Sequence, residues 1–230
     1  SCSWKGRTPG KNHQTAMRKI LLYPHGGSGN HGCEAIVRST MLLLRPEKGS
    51  LVSSACGQDV RCGLDRLVRV LPERRPIRRL SPAWTAAWMR LHVLGVKDAF
   101  DRIAFGGIVK EAGDADLALC GGGDNYCYGE PVHIYLQNEL LRKAGVPVVL
   151  WGCSLEREDM KGRMLEDLGA FDLIVARESL TYDALRECGL SRVVLYPDPA
   201  FALPANEVEV PEGWKEGNMA GINVSPMVIG

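Results

Sequence analysis

The sequence predicts an α/β domain, a Rossmann-like parallel sheet with helices on both faces. Three observations predict it. Short runs of β-branched and aliphatic residues alternate with stretches whose apolar residues recur at helical spacing. Several of those runs end in glycine-bearing turns, as the strands of a doubly wound sheet do at their carboxyl ends. The bulk balance is that of an ordinary globular protein: 230 residues, 45% hydrophobic, 24% charged, formal net charge +1.

Taken in order, residues 1–16 (SCSWKGRTPGKNHQTA) are polar and turn-rich, and they read as a leader or tag outside the fold. Strands are expected at 19–23, 51–55, 116–120, 147–152, 173–176 and 193–196. Helices are expected at 35–44 after a first glycine loop, at 131–144 after a second, and at 179–188, where Gly189 closes the pattern. Residues 61–109 read as mostly helical, an insertion or a wall of a cleft. On this reading 17–203 is one Rossmann-like domain and 204–218 (PANEVEVPEGWKEGN) is a linker. Residues 219–230 then open the first strand, at 221–224, of a second α/β domain.

Composition excludes several function classes. A net charge near zero supplies no broad field for nucleic acid or an anionic surface, so an anion must be held locally. Arg74, Arg75, Arg78 and Arg79 are interrupted by Pro76 and Ile77 and lack interleaved aromatics, which reads as a solvated face. Eight cysteines fall at irregular intervals with no close pair for zinc or redox chemistry, so reduced thiols and no metal are expected. Cys120 and Cys153 are expected to act as small buried hydrophobes. With no run of the roughly 20 apolar residues that span a bilayer, and no signal peptide, the expected location is the cytoplasm.

Four constellations carry chemistry. In the first, Gly26, Gly27, Ser28, Gly29, Asn30, His31 and Gly32 stand between a strand and a helix, where glycines let backbone approach a ligand and a helix start favours an anion. The alternative is a tight strand-to-helix turn. The second, Gly121, Gly122, Gly123 and Asp124, follows an apolar run; Asp124 either holds a sugar hydroxyl or caps the next turn. The third is Trp151 to Ser154, and the fourth is Arg177, Glu178 and Ser179 with Asp198, Pro199 and Ala200 downstream. All four end predicted parallel strands, so they converge on one edge of the sheet. A guanidinium at Arg177 suits bidentate capture of phosphate or carboxylate; its alternative is an ion pair with a neighbour such as Glu178. His25 and His31 flank the first loop, where satisfaction by backbone is commoner than catalysis.

In their order along the chain these pieces resemble the polysaccharide pyruvyl transferase family: residues 27–35, 121–124, 152–154, 177–179 and 197–201, with the family's second-domain strand at 221–225. The resemblance runs from Met17 to the end. It implies half of a two-domain, GT-B-like architecture, with phosphoenolpyruvate as donor, a saccharide of a surface glycan as acceptor and no cofactor. It makes Gly27, Gly29, Asn30, Gly32, Gly122, Gly123, Ser154 and Arg177 candidates for donor binding, and Glu34 and Asp124 candidates for the acceptor or for activating its hydroxyl. The family's proton-donating histidine is expected in the second domain, so this chain alone is expected to be inactive. A nucleotide-sugar glycosyltransferase of similar architecture, or a non-catalytic remnant, are the competing readings.

Overall fold

The computed structural model describes residues 18–121, 125–127, 129–205, 209–215, 217–220 and 222. The expected leader, most of the expected second-domain strand, and Gly122, Gly123 and Asp124 lie outside the described residues.

Seven parallel strands form one sheet in the order β3-β2-β1-β4-β5-β6-β7. They are β1 (Lys19–His25), β2 (Lys48–Ser53), β3 (Arg69–Pro72), β4 (Leu117–Gly121), β5 (Val148–Cys153), β6 (Leu173–Ala176) and β7 (Val193–Leu195). The helices are α1 (His31–Leu44), α2 (Cys56–Arg61), α3 (Pro82–His92), α4 (Ala99–Ala104), α5 (Gly106–Ala112), α6 (Val132–Lys143), α7 (Gly162–Gly169) and α8 (Ser179–Glu187). A final 3₁₀ turn covers Pro199–Ala202.

β1 explains the layering. Its residues Ile20, Leu21, Leu22 and Tyr23 are all buried, so neither face meets water, which is what a central parallel strand demands. Ile20 and Leu22 join Val37, Leu51, Leu119 and Val149 on the face that α1 covers. Leu21 and Tyr23 join Cys120, Tyr126, Ile134 and Leu150 on the other face, under α5 and α6. Cys120 and Cys153, 0% and 2% exposed, sit in that second layer as small apolar side chains. The edge strands β3 and β7 are short and partly exposed, which blunts them against pairing with another chain.

Two expectations need correction, and one helix went unread. Residues 61–109 are not mostly helical at their start: β3 lies there, because Val70 and Leu71 pair with β2 as an edge strand too short to show a period of its own. β2 begins at Lys48 and ends at Ser53, and α2 takes up residues 56–61. α7 was not expected: its apolar Met164, Leu165 and Leu168 fall at helical spacing, but it is short, glycines stand at both ends and no capping side chain opens it.

A buried polar network ties the second layer to the region after β4. The Tyr23 hydroxyl donates to Asn138 Oδ1 at 2.6 Å, and Asn138 Nδ2 donates to Asp167 Oδ2 at 2.6 Å and to the Tyr126 hydroxyl at 2.8 Å. Tyr126 in turn donates to Asp167 Oδ2 at 2.7 Å, and Arg142 Nη2 closes the set on Oδ1 at 2.8 Å. Such a network is worth its desolvation only when its members are satisfied together. Here it pins Tyr126, just after the second glycine turn, to α6 and α7.

Candidate functional site

The strand order reverses direction between β1 and β4, and in a doubly wound sheet ligands bind in the crevice beyond the carboxyl ends at that point. A small cavity of ≈ 20 Å³ lies there, lined by Tyr23, Pro24, His25 and Gly26 from the end of β1, Cys33, Ile36 and Val37 from α1, and Gly121 and Asn125 after β4. Asn125 Nδ2 donates to the Gly121 carbonyl at 2.7 Å and holds the start of the second glycine turn.

The first glycine loop is organised by α2. Asp59, fully buried, accepts through Oδ1 from the Ser28 N–H at 2.9 Å, the Ser28 hydroxyl at 2.7 Å and His25 Nε2 at 3.0 Å. Its other oxygen, Oδ2, has no partner within hydrogen-bond geometry. Burial pushes the Asp59 carboxyl up, but the Ser53 and Ser28 hydroxyls and His25 pull it down by more, so it stays below the usual carboxylate range. Burial dominates His25 in the opposite sense and lowers it, despite the attraction of Asp59. The neutral imidazole therefore carries its proton on Nε2, toward Asp59. Neither Asp59 nor Gln58, whose Oε1 accepts from the Gly29 N–H at 3.0 Å, stood out in the sequence. The available signal was an acid and an amide on a short segment directly after a strand.

Gly27 cannot be another residue here. Its φ is 111°, and a Cβ would lie 2.6 Å from the Ala55 Cβ.

The loop's amides are less open than expected. Ser28 and Gly29 donate to α2, Asn30 N–H reaches the Gly27 carbonyl at 3.4 Å, and Gly32 N–H donates to Asn30 Oδ1 at 2.9 Å. Asn30 is the N-cap of α1. Glu34 sits in the first turn, where a carboxylate complements the helix dipole. It pairs with Arg38 Nε at 2.7 Å and His31 Nδ1 at 3.1 Å. Partial burial raises the Glu34 carboxyl, and those two partners outweigh it, so the net shift is downward and favours the anion. An ionised, paired carboxylate suits a hydrogen-bond acceptor and not a general acid.

The third and fourth constellations meet. Arg177, at the end of β6, donates from Nε to Ser154 Oγ at 2.7 Å and from Nη1 to Asp198 Oδ2 at 2.9 Å. The Arg177 and Asp198 side chains are 30% and 20% exposed. The ion-pair partner is thus Asp198, twenty-one residues on, and not the adjacent Glu178, which instead caps α8 by accepting from Thr181 N–H at 3.2 Å. Asp198 Oδ1 also accepts from Ala200 N–H at 2.9 Å, opening the 3₁₀ turn that folds back against α1. Gly152 permits this: its φ is 72°, and a Cβ would lie 2.9 Å from Pro199 Cδ. Trp151 Nε1 donates to Thr40 Oγ1 of α1 at 2.9 Å, a second tie between β5 and the first loop's helix.

Beside this cluster is an open hollow of ≈ 730 Å³ lined by Arg177, Glu178, Ser179, Leu195, Pro197, Asp198 and Phe201. One guanidinium and two carboxylates face a wall of apolar carbon. Among the described residues no group of three or more His, Cys, Asp or Glu could hold a metal, and no helix is long and apolar enough to cross a membrane.

The fold is a Rossmann-like parallel sheet resembling one half of a GT-B-like architecture. The chain is similar to Anabaena Alr3699/HepE solved with UDP-glucose, at TM-score 0.50 and 12% identity over 79% of this chain and 44% of that one. It is also similar to Acinetobacter baumannii MurG, at TM-score 0.44 and 12% identity over 84% and 48%. It spans about half the length of these structures. No curated protein matches the chain. The family model of polysaccharide pyruvyl transferase matches residues 30–223, and the chain belongs to that family.

Proposed function

We propose that this chain is the amino-terminal half of an enzyme that moves a pyruvyl group from phosphoenolpyruvate onto two hydroxyls of a glycan sugar. The observation that carries the reading is the match to the pyruvyl transferase family over residues 30–223, within which the turns after β5, β6 and β7 close into one cluster.

The chemistry needs few groups. A general acid protonates the donor's methylene carbon, which leaves C2 electron-deficient. One sugar hydroxyl adds to C2 and loses its proton; the C2–O bond to phosphate breaks and phosphate leaves with its electron pair. The second hydroxyl then adds and loses its proton, giving a cyclic ketal that keeps the carboxylate. One proton is taken up at carbon and two are released from oxygen, and the surplus proton goes to the departing phosphate. No electron changes hands.

Charge decides where each substrate sits. The hollow beside Arg177 holds one cation against two carboxylates, so a trianionic donor placed wholly within it meets net repulsion. A neutral sugar meets none: Glu178 and Asp198 accept its hydroxyls, while Leu195 and Phe201 offer an apolar face. We assign the hollow to the acceptor. Arg177, held in place by Ser154 and Asp198, touches the donor's carboxylate or phosphate at the boundary, as one cation of a set that the rest of the enzyme completes. The first loop and the start of α1 contribute the helix dipole, about 0.3–1 kcal/mol toward an anion.

The test is paired phosphorus and proton NMR of the complete enzyme with phosphoenolpyruvate and a hexose-bearing glycan. Inorganic phosphate and a ketal methyl resonance should appear together. Consumption of a nucleotide sugar, with phosphoenolpyruvate untouched, would replace this reading with a glycosyltransferase.

A further inference from the structure

Between Glu73 and Asp98, the connection from β3 to α4 carries charge of one sign. From Arg74 to Lys97 the chain has six basic residues, Arg74, Arg75, Arg78, Arg79, Arg90 and Lys97, and no Asp or Glu. Arg74 is committed to Asp101 and to the Phe105 ring, and Arg75 packs beside Gly107. Arg78, Arg79, Arg90 and Lys97 are exposed, and their side chains bond to no other described residue.

α3, within this stretch, bears large apolar side chains on its exposed side as well as its buried one. Ala87 is fully buried and Trp84 meets Phe100 of α4 edge-on at 6.2 Å, so that face is the core-facing one. Ala86, Met89 and Val93 share the opposite face at helical spacing, with Thr85 and His92 at its margin. Met89 is 57% exposed, Val93 68%, Leu94 69% and Leu80 74%, with Trp88 at the flank. A solvated basic loop accounts for the arginines but not for this group of large exposed hydrophobes, since the solvent side of an ordinary surface helix is mostly charged or polar. Uniform positive charge beside exposed apolar side chains matches a partner that is anionic at its surface and apolar just beneath.

We propose that α3 and the arginine loop before it form a surface that docks on an anionic lipid bilayer. Arg78, Arg79 and Arg90 meet headgroup phosphates, and Met89, Val93 and Leu94 enter the boundary of the acyl chains. β3 ends at Pro72, so the loop leaves the sheet from the same carboxyl edge as the first glycine loop after β1. A docked bilayer would lie beside that edge. The inference stands apart from the reaction proposed above, because it rests on α3 and its loop alone.

The experiment is vesicle flotation of the full chain, comparing phosphatidylcholine vesicles with and without phosphatidylglycerol. Binding should require the anionic lipid and weaken with salt. Each basic side chain near the surface contributes about fivefold in affinity, so Arg78→Glu with Arg79→Glu should lower binding by tenfold or more. Met89→Ser with Val93→Ser should reduce binding to the same vesicles while leaving thermal unfolding unchanged, because both side chains point outward. Quenching of Trp88 fluorescence by brominated lipid, absent in Trp88→Phe, should accompany binding. Failure of the unaltered chain to bind anionic vesicles at low salt would overturn the proposal. So would binding that neither pair of substitutions disturbs, or self-association that both pairs abolish without any vesicle binding, which would give the face to a second copy.

Discussion

Asp59 Oδ1 holds Ser28 twice, accepting its backbone N–H at 2.9 Å and its hydroxyl at 2.7 Å, although the two residues lie on different elements. The first glycine loop therefore owes its shape to a carboxylate on α2. Because the same oxygen also meets His25 Nε2, one buried charge sets the loop's backbone and the tautomer of the imidazole lining the switch-point cavity.

Removing that carboxylate should be costly. Asp59→Ala leaves the Ser28 donors and His25 without their partner inside the protein, and a buried network broken from one side loses about 3–5 kcal/mol. Asp59→Asn keeps one acceptor oxygen and should lose less. Urea denaturation of both variants checks the order; equal stability of Asp59→Ala and the unaltered chain would refute the anchoring role.

The same pair predicts an acid-sensitive fold. The folded-state pKa of His25 lies below its unfolded value of 6.5, so the unfolded chain binds the extra proton first. That contribution is complete above pH 6.5 and is lost as pH falls through the interval beneath it. Asp59 is also depressed, from 3.8, so its contribution disappears in turn at still lower pH. Both act in one direction. Denaturation midpoints measured from pH 7.5 downward should fall below about pH 6.5, and His25→Gln should flatten that first decline.

Gly152 should tolerate no side chain. Alanine there meets a φ of 72° and the Pro199 ring at 2.9 Å, and a left-handed non-glycine residue costs about 1–3 kcal/mol before the clash is counted. Relief of the clash moves Pro199 and with it the neighbouring Asp198. Gly152→Ala should therefore lower the melting temperature and also loosen the Arg177–Asp198 pair, which a double-mutant cycle on that pair would register as a smaller coupling.

Arg177 and Asp198 should be coupled in both stability and turnover. In the complete enzyme, Arg177→Ala should reduce kcat/KM for the donor by about ten- to a hundredfold, the worth of one charged hydrogen bond. Arg177→Lys keeps the charge but loses the fork that reaches Ser154 and Asp198 together, so it should recover only part of the loss. Unchanged donor kinetics in Arg177→Ala would remove this residue from the site. A cycle with Asp198→Asn should show an interaction energy; strict additivity would mean the pair does not act as a unit.

Asn138 should be needed for stability and not for chemistry. Asn138→Ala strips partners from the Tyr23 and Tyr126 hydroxyls and from Asp167, all buried, and should cost about 1–3 kcal/mol for the groups left unpaired. Guanidinium denaturation checks it.

Much of the fold was legible because its signals are local. The apolar run of β1, the helix after the glycine loop and the closing Gly189 each announce themselves within a few residues. β3 was not legible, since a four-residue edge strand carries too little pattern of its own and is held by the neighbour it pairs with. α7 was missed although Met164, Leu165 and Leu168 fall at helical spacing, because it is only two turns long and no capping side chain marks its start. The loop's anion-binding amides were overestimated for a related reason. Local sequence shows that glycines can expose N–H groups, but it does not show that Gln58, Asp59 and Asn30 already accept them.

By itself the sequence determined the parallel α/β class, the family and the placing of the first glycine loop between a strand and a helix, because backbone propensity, burial period and motif order are written along the chain. Only the tertiary structure decided that Arg177 pairs with Asp198 and not Glu178, that Asp59 governs Ser28 and His25, and that one side of α3 stays bare. Those outcomes depend on distances between residues far apart in sequence. They are settled when the sheet's strand order brings particular side chains within hydrogen-bonding reach and leaves others facing outward.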